Sequence, residues 1–464
     1  LNFNANRRTF AAIFHSMTPR TVAFHTLGCK LNFSETSALA RLFESGGYAA
    51  VPFKDGADIY VINTCSVTEQ ADKECKKIVR SALRKQPGAY VVVTGCYAQL
   101  KPEEIANIPG VDLVLGAGEK FRILDYVQEL SKAQGKGMVQ AGDVQEVNTF
   151  HASFSFGDRT RSFLKVQDGC NYKCSFCTIP MARGASRSNT IEHVLDNVAK
   201  LKQDGTREIV LTGINLGDFG NGTEVIEGIK PKKEALFIDL VQALDAFPES
   251  PDRYRISSIE PNLLTEEIIE TVASSRTFMP HFHVPLQSGN NKQLADMRRR
   301  YKRVLYAERV ALIKKHMPHA CIGCDVIVGF PGETEADFLE TYEFIKNLDV
   351  SYLHVFTYSE RANTLAVEMP GVVPMEERKR RNQALRGLSE MKTRAFYQQH
   401  EHSVRPVLFE KHKDPTRMTG FTDNYVKIDM PFEAGKINTI VPVQIGALNG
   451  EGTACLAEWE TVHQ

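Results

Sequence analysis

Three apolar, β-branched runs open the chain, at 21–29, 59–65 and 90–96, and each ends in a cysteine. Continuous apolar runs of this length predict buried strands of a parallel sheet. Helical patterns at 34–45 and 67–85 fall between them, so strand–helix–strand order predicts a doubly wound α/β layer. A second strand–helix series follows a Gly- and Lys-containing stretch at 131–142. Its strand candidates are 162–167, 208–212, 254–259, 281–286, 325–330 and 352–356. Helical patterns at 189–202, 237–246, 265–274, 291–298, 304–316 and 335–348 separate them. That makes six β/α units, short of the eight of a complete barrel, and an open six-unit barrel leaves a wide mouth. From Val404 onward the pattern shortens to strands at 405–409, 425–428, 440–445 and 452–457 with Gly-rich turns, which predicts a small β-barrel.

These periods predict an α/β chain: an N-terminal doubly wound parallel sheet at 19–132, a linker at 133–155, a partial (β/α)6 barrel at 156–386 and a small β-barrel at 387–464. Residues 1–18 read as an extension. Leu1 is not Met, Met17 is a plausible start, and Arg7-Arg8 before a short apolar stretch only faintly resembles a twin-arginine signal.

The cysteines change the picture from fold to chemistry. Cys170, Cys174 and Cys177 form a C-x3-C-x2-C run directly after the first strand of the partial barrel. A 4Fe–4S cluster is usually held by four cysteines, so a local set of three leaves one iron open. Zinc sites usually pair two short motifs and close with a fourth ligand, and no suitable second motif lies nearby. Cys29, Cys65 and Cys96 each lie just past a strand end, where open α/β sheets gather ligands. They are expected to converge on a second cluster, with Gly28 and Gly95 letting the backbone approach it closely. The competing reading is three buried structural cysteines. Cys75, Cys321, Cys324 and Cys455 complete the ten. Cys321-x2-Cys324 has no partner motif and reads as buried structural thiols.

Composition adds exclusions. Of 464 residues, 42% are hydrophobic and 24% charged, with net charge zero. That balance is ordinary for a soluble globular chain, so any nucleic-acid surface must be local. No stretch reaches the ~20 apolar residues of a membrane span, and thiolate-rich sites fit a reducing, cytoplasmic location. Two local basic patches stand out, Arg298-Arg299-Arg300 and Arg378-Lys379-Arg380-Arg381. Charge runs are usually solvated helix faces. Beside the second patch, Phe421 and Tyr425 offer aromatics for stacking on RNA.

Four strand-end segments share the rim with the C-x3-C-x2-C motif: 212–215, 257–261, 285–289 and 328–333. Turn chemistry alone accounts for any one of them. Together they supply the carboxylate, amide and backbone groups to hold S-adenosylmethionine (SAM), and they nominate Gly213, Asn215, Ser258, Glu260, Gln287 and Ser288, with Phe176 from the cysteine loop.

With both cysteine sets on the page, the chain resembles the methylthiotransferases of the radical SAM superfamily from about Pro19 to the C-terminus. The run Thr26-Leu27-Gly28-Cys29-Lys30-Leu31-Asn32, followed by Glu35-Thr36, is most similar to the threonylcarbamoyladenosine tRNA group. The segments 281–289 and 353–361 point the same way. The isopentenyladenosine and ribosomal-protein branches are less similar at the first cysteine. The resemblance implies two 4Fe–4S clusters. One binds SAM and reduces its sulfonium to give the radical that opens C2 of adenine. The other carries the sulfur that a first SAM methylates. It also implies a TRAM-like RNA-binding barrel, a tRNA anticodon stem-loop as partner and an external low-potential electron donor, with the sulfur source unknown. Arg298, Arg299 and Arg300 are the candidates for recognising the threonyl carboxylate.

Overall fold

The three cysteine-terminated runs are adjacent strands of one sheet in the computed structural model, which describes residues 20–65, 69–128, 131–155, 160–220 and 235–459. The 1–18 extension lies outside the described residues. Strands β1 (Thr21–Thr26), β2 (Ala49–Ala50), β3 (Ile59–Thr64), β4 (Tyr90–Gly95), β5 (Leu113–Leu115) and β6 (Met138–Gln140) lie in the order β2-β1-β3-β4-β5-β6, all parallel. β3 is buried along its whole length, as a strand covered on both faces must be. Its register sets Asn63 opposite Thr26 and Thr64 opposite Gly95, so Cys29, Cys65 and Cys96 leave the sheet at one edge. Helix Lys30–Ser45 begins earlier than the periodicity predicts, with Cys29 itself at its cap.

The segment 133–155, expected as a linker, belongs to the fold on both sides. Met138–Gln140 adds β6 to the first sheet, and β7 (Ser153–Phe154) pairs antiparallel with β8 (Arg161–Lys165). Strands of three and two residues are too short for an alternation pattern to register. Beyond β8, β9 (Gln167–Asp168) and β10 (Arg187–Ser188) form a short ladder around the cysteine loop. The series continues with β11 (Glu208–Thr212), β12 (Arg253–Ile256), β13 (His281–His283), β14 (Cys321–Val328) and β15 (Tyr352–Thr357). β8, β11 and β12 form one parallel ladder, and β13, β14 and β15 another. Backbone hydrogen bonds from Tyr254 N–H to the Thr277 carbonyl and from Ile259 N–H to the His283 carbonyl join the two. The six parallel strands thus make the open barrel. Cys321 and Cys324 lie within β14, not ahead of it, and burial pushes both thiols up to about 12.

The C-terminal strands β16 (Val404–Lys411), β17 (Arg417–Thr422), β18 (Lys427–Pro431), β19 (Ile440–Leu448) and β20 (Cys455–Trp459) close into a barrel in the order β16-β17-β18-β20-β19. β17 is absent from the sequence reading. Its buried positions are Met418, Gly420 and Thr422, which alternate too weakly in hydrophobicity. Helix Met375–Gln398 runs through residue 387, so the expected boundary there falls inside a helix. Among the described residues no helix is long and apolar enough to cross a membrane.

Two polar joints hold the three parts together. Between the first sheet and the partial barrel, Glu35 meets Lys120 (2.8 Å), Lys165 (3.2 Å) and Arg183 (3.0 Å), all buried. Asp168 meets Lys165 (3.2 Å), Arg183 (3.1 Å) and Arg187 (3.5 Å). Between the partial barrel and the small barrel, Arg253 donates to the Phe421 and Pro406 carbonyls. Arg255 donates to the Thr422 and Asp423 carbonyls and to Glu208 (2.9 Å).

Glu35→Gln removes an anion that three buried cations share. Breaking a buried pair from one side costs about 3–5 kcal/mol, to be read as a lower urea midpoint of the apoprotein at neutral pH. The cations hold the Glu35 and Asp168 carboxyls below the usual range against the opposing effect of burial. This contribution is therefore present above about pH 4, the unfolded carboxyl value, and fades as pH falls below it. The wild-type and Glu35→Gln midpoints should converge on acidification. A gap that stays constant into acid would mean the Glu35 charge contributes nothing.

Candidate active site

The C-x3-C-x2-C loop runs from β9 to helix Ile179–Arg183. Each of its three sulfurs receives one N–H. Tyr172 N–H donates to Cys170 Sγ (3.4 Å), Ile179 N–H to Cys177 Sγ (3.4 Å) and Arg299 Nη1 to Cys174 Sγ (3.2 Å). Burial pushes the Cys170 thiol up to about 12 and the Cys177 thiol up to about 11. Thiols so crowded need a bound cation to stay ionised. An all-thiolate donor set with N–H groups aimed at sulfur is the chemistry of an iron–sulfur site, so these residues fit the cluster that the spacing implies.

The second set converges on backbone that only glycine permits. Gly28 has φ +107°, and a Cβ there would lie 2.6 Å from Cys65 Cβ. Gly95 has φ +100°, and a Cβ there would lie 2.3 Å from the Thr64 carbonyl oxygen. Both glycines bring one cysteine loop hard against the next, leaving a cradle that any side chain would fill. Asn32 ties the loops by donating to the Leu27 (2.8 Å) and Thr64 (3.1 Å) carbonyls, and Arg183 Nη2 donates to its Oδ1 (2.7 Å). Burial raises the Cys96 thiol, with Arg183 and Lys120 pulling the other way. Cys29 lies open to a cavity, whereas Cys65 and Cys96 are buried.

The structure sorts the other candidates. Glu260 is ion-paired to Arg299, the residue that donates to Cys174, so its carboxylate stands at the edge of the cysteine loop. Asn215 is buried, and both atoms of its side-chain amide lack a partner. An orphaned amide at a strand end is what a polar ligand would satisfy. The turn carrying it is fixed by Gln167 Oε1, which accepts from Ile214 N–H (2.9 Å) and Asn215 N–H (2.8 Å). Gly213 and Ser258 line the cavity. Phe176 packs edge-on to Phe330, with ring centroids 6.5 Å apart. Gln287 takes φ +66° and bridges to Val326.

Four candidates are corrected. The Ser288 hydroxyl is buried against Thr341 Oγ1 (3.1 Å) and accepts from Asn290 N–H (3.1 Å), so both bonds go to the protein and shape a turn. Arg299 is engaged by Glu260 and Cys174 and offers no charge to RNA, while Arg298 and Arg300 stay exposed, Arg300 lying 3.8 Å over the Tyr172 ring. Phe421 and Tyr425 stack on each other (4.6 Å), and Tyr425 stacks on His281 (4.1 Å). Arg161 lies 4.8 Å from the centre of the Phe421 ring and Arg255 5.0 Å from that of Tyr425. These aromatics seal the joint between core and small barrel and form no open stacking platform. The basic run at 378–381 is likewise partly structural, since Arg378 and Arg381 are buried on Glu360 (2.6 Å) and Glu333 (2.8 Å).

A cavity of about 710 Å³ lies between the Cys29 loop, the ends of β11 and β12, and the small barrel. Cys29 and Lys30 line one side, Thr212, Gly213 and Ser258 another, and Tyr425 reaches it from the small barrel. Its floor carries His283, whose Nε2 lies 3.1 Å from Asp325 Oδ1, with His354 beside them. The sequence reading missed His283, Asp325, His354 and Lys30 as site residues. One signal was available for Lys30: a cation at the first position of a helix sits at the wrong end of the helix dipole.

Comparison with known proteins agrees with this geometry. Residues 21–116 match the uncharacterized protein family UPF0004, and residues 164–345 match the radical SAM superfamily. Threonylcarbamoyladenosine tRNA methylthiotransferase MtaB of Bacillus subtilis is 41% identical over 92% of this chain and 93% of its own length. The protein of the same name from Aquifex aeolicus is 38% identical over 88% and 96%. The tRNA-2-methylthio-N(6)-dimethylallyladenosine synthase of Desulfitobacterium hafniense is 30% identical over 93% and 96%. Among solved structures, the radical SAM methyltransferase TsrM of Kitasatospora setae, with a 4Fe–4S cluster bound, shares the fold at TM-score 0.55. It is 16% identical over 75% of this chain and 77% of its own. The chain belongs to the methylthiotransferase family of radical SAM enzymes, in the group of the threonylcarbamoyladenosine tRNA methylthiotransferases.

Proposed function

We propose that this chain adds a methylthio group to C2 of N6-threonylcarbamoyladenosine, 3′ of a tRNA anticodon, consuming one SAM as methyl donor and one as radical source. One observation carries the reading. A single cavity is lined both by Cys29 of the second cysteine set and by Gly213 and Ser258, two of the rim residues nominated to hold SAM. An acceptor held there touches the sulfur-donating side and the SAM side at once, as group transfer within one active site demands.

In this reading Cys170, Cys174 and Cys177 hold the SAM-binding cluster, and Cys29, Cys65 and Cys96 hold a second, sulfur-carrying one. When bound, the clusters and SAM supply the one-electron and sulfur chemistry that an unactivated aromatic C–H requires and that side chains lack. The protein's own work is positioning. Arg299 clamps Cys174 and Glu260 together, so a ligand on Glu260 is registered against the cysteine loop. The Asn215 amide offers a donor and an acceptor on the same rim. An electron carrier would instead close each cluster with a fourth protein ligand. An anticodon loop can present its base because loop bases splay out at low cost. A low-potential reductant must come from another protein, and both it and the abundant thiolates fit the cytosol.

Replacing Cys170, Cys174 and Cys177 by Ala should abolish SAM cleavage and leave roughly half the iron of the reconstituted protein. Replacing Cys29, Cys65 and Cys96 should also halve the iron and abolish methylthiolation while SAM is still cleaved. Product from the second variant would remove the sulfur-carrier role. Iron for only one cluster in the wild type would do the same. Glu260→Gln loses a charge-assisted hydrogen bond, so SAM affinity should fall about 10-fold at unchanged iron content, measured by equilibrium titration. Equal affinity would return Glu260 to a purely structural role. The acceptor is tested by offering threonylcarbamoyl-modified tRNA, isopentenyl-modified tRNA and ribosomal protein to the wild-type enzyme. The first should be methylthiolated fastest, and preference for either other substrate would assign the chain to a different branch.

A further inference from the structure

We infer that Lys30 recognises the free carboxylate of the acceptor's threonylcarbamoyl group and so sets the substrate specificity of this site. The inference rests on the acceptor proposed above and names the residue that reads it. Lys30 directly follows Cys29, opens helix Lys30–Ser45 and lines the cavity that Cys29 and Ser258 share. The other basic chains there are already engaged. Arg161 is paired with Glu410 at 2.7 Å, and Arg255 with Glu208 at 2.9 Å. The one acid lining the cavity, Asp325, lies 3.1 Å from His283 Nε2. Among the described residues, Lys30 alone of the lysines and arginines lining the cavity has neither an ion pair nor a hydrogen bond. Its side chain is exposed on the cavity wall and open to an incoming ligand. An unpartnered cation on that wall is free to pair with an anion that enters the cavity.

The chemistry of the acceptor places an anion there. The ureido N–H of a threonylcarbamoyl group can close onto N1 of the adenine, which swings the amino acid along the ring edge that carries C2. C2 must face the sulfur side, marked by Cys29. The carboxylate then falls next to the residue after Cys29. An isopentenyl group brings no charge and would leave Lys30 desolvated and unpaired, so it is rejected by the same residue that selects the acid.

The test is binding of anticodon stem-loop RNA to protein reconstituted with iron and sulfide. One RNA carries threonylcarbamoyladenosine, and the other carries the same nucleoside with its carboxylate capped as the methyl amide. The wild type should prefer the acid about 10- to 100-fold, the range of a charge-assisted hydrogen bond. Lys30→Gln should bind the two RNAs alike, and Lys30→Arg should restore part of the preference. Lys30→Met provides the neutral comparison if Lys30→Gln does not retain its iron. A wild type that binds acid and amide equally overturns the inference without reference to any variant. A neutral variant that keeps the full preference overturns it while leaving the acceptor intact. Failure of the wild type to bind or modify the threonylcarbamoyl RNA at all overturns the acceptor, and the inference with it.

Discussion

The buried ion network around Glu35 and Asp168 is the constraint on which the site depends. Glu35 lies on the helix that starts at Cys29, and Asp168 lies two residues before Cys170. Both carboxylates are shared by Lys165 and Arg183, and Lys120 and Arg187 complete the set. Each cysteine set is therefore positioned from the same cations. Arg183 goes further by donating to Asn32, which spans the Leu27 and Thr64 carbonyls between two of the second set's loops. Buried ion pairs are poor sources of net stability, because desolvation offsets their attraction. Their attested use is to fix one arrangement among several, and two sites that must cooperate on one acceptor need that. Four cations against two carboxylates also leave positive charge near two sets of thiolates, which counters the charge that three sulfurs bring to each.

The second joint shapes the cavity by supplying part of its wall. Arg253 and Arg255 reach from β12 to carbonyls of the small barrel, and Tyr425 returns the contact by stacking on His281 of β13. The small barrel thus forms part of the cavity wall. This explains why Tyr425 and Phe421, which resemble an RNA-stacking pair in sequence, are spent internally. Arg298 and Arg300, by contrast, stay exposed on the cysteine-loop rim.

What was legible in the sequence divides along the range of the interaction. The cysteine-ending runs could be read because a buried parallel strand writes its whole signal into consecutive residues. The convergence of Cys29, Cys65 and Cys96 followed from strand-end logic, and the register of β1, β3 and β4 bears it out as topology. Signals that need a partner far along the chain were misread. The arginine run at 298–300 has one pattern and three fates, decided by Glu260, Cys174 and Tyr172. Ser288 has the composition of a ligand-binding turn, yet Thr341, far downstream, claims its hydroxyl. Met138–Gln140 is a strand only because β5 offers an open edge. His283, Asp325 and His354 come from three separate strands and meet only once the barrel curves.

Chemistry and specificity occupy different residues here, yet the fold does not let them drift apart. In the function proposed, the cysteines and the rim around Glu260 and Asn215 hold what any methylthiolation of this kind requires. Discrimination between acceptors then falls to the rest of the cavity wall, where a charge that a bound acceptor covers without pairing rejects that acceptor more strongly than a mismatched apolar surface does. Lys30 is one peptide bond from Cys29 and rides on the helix that Glu35 anchors through the ion network. The charge that reads the substrate and the sulfur ligand beside it therefore move as one body. An error in placing the acceptor's anion becomes an equal error in placing its C2, so recognition and reaction geometry are tied by covalent structure and need no separate device to align them.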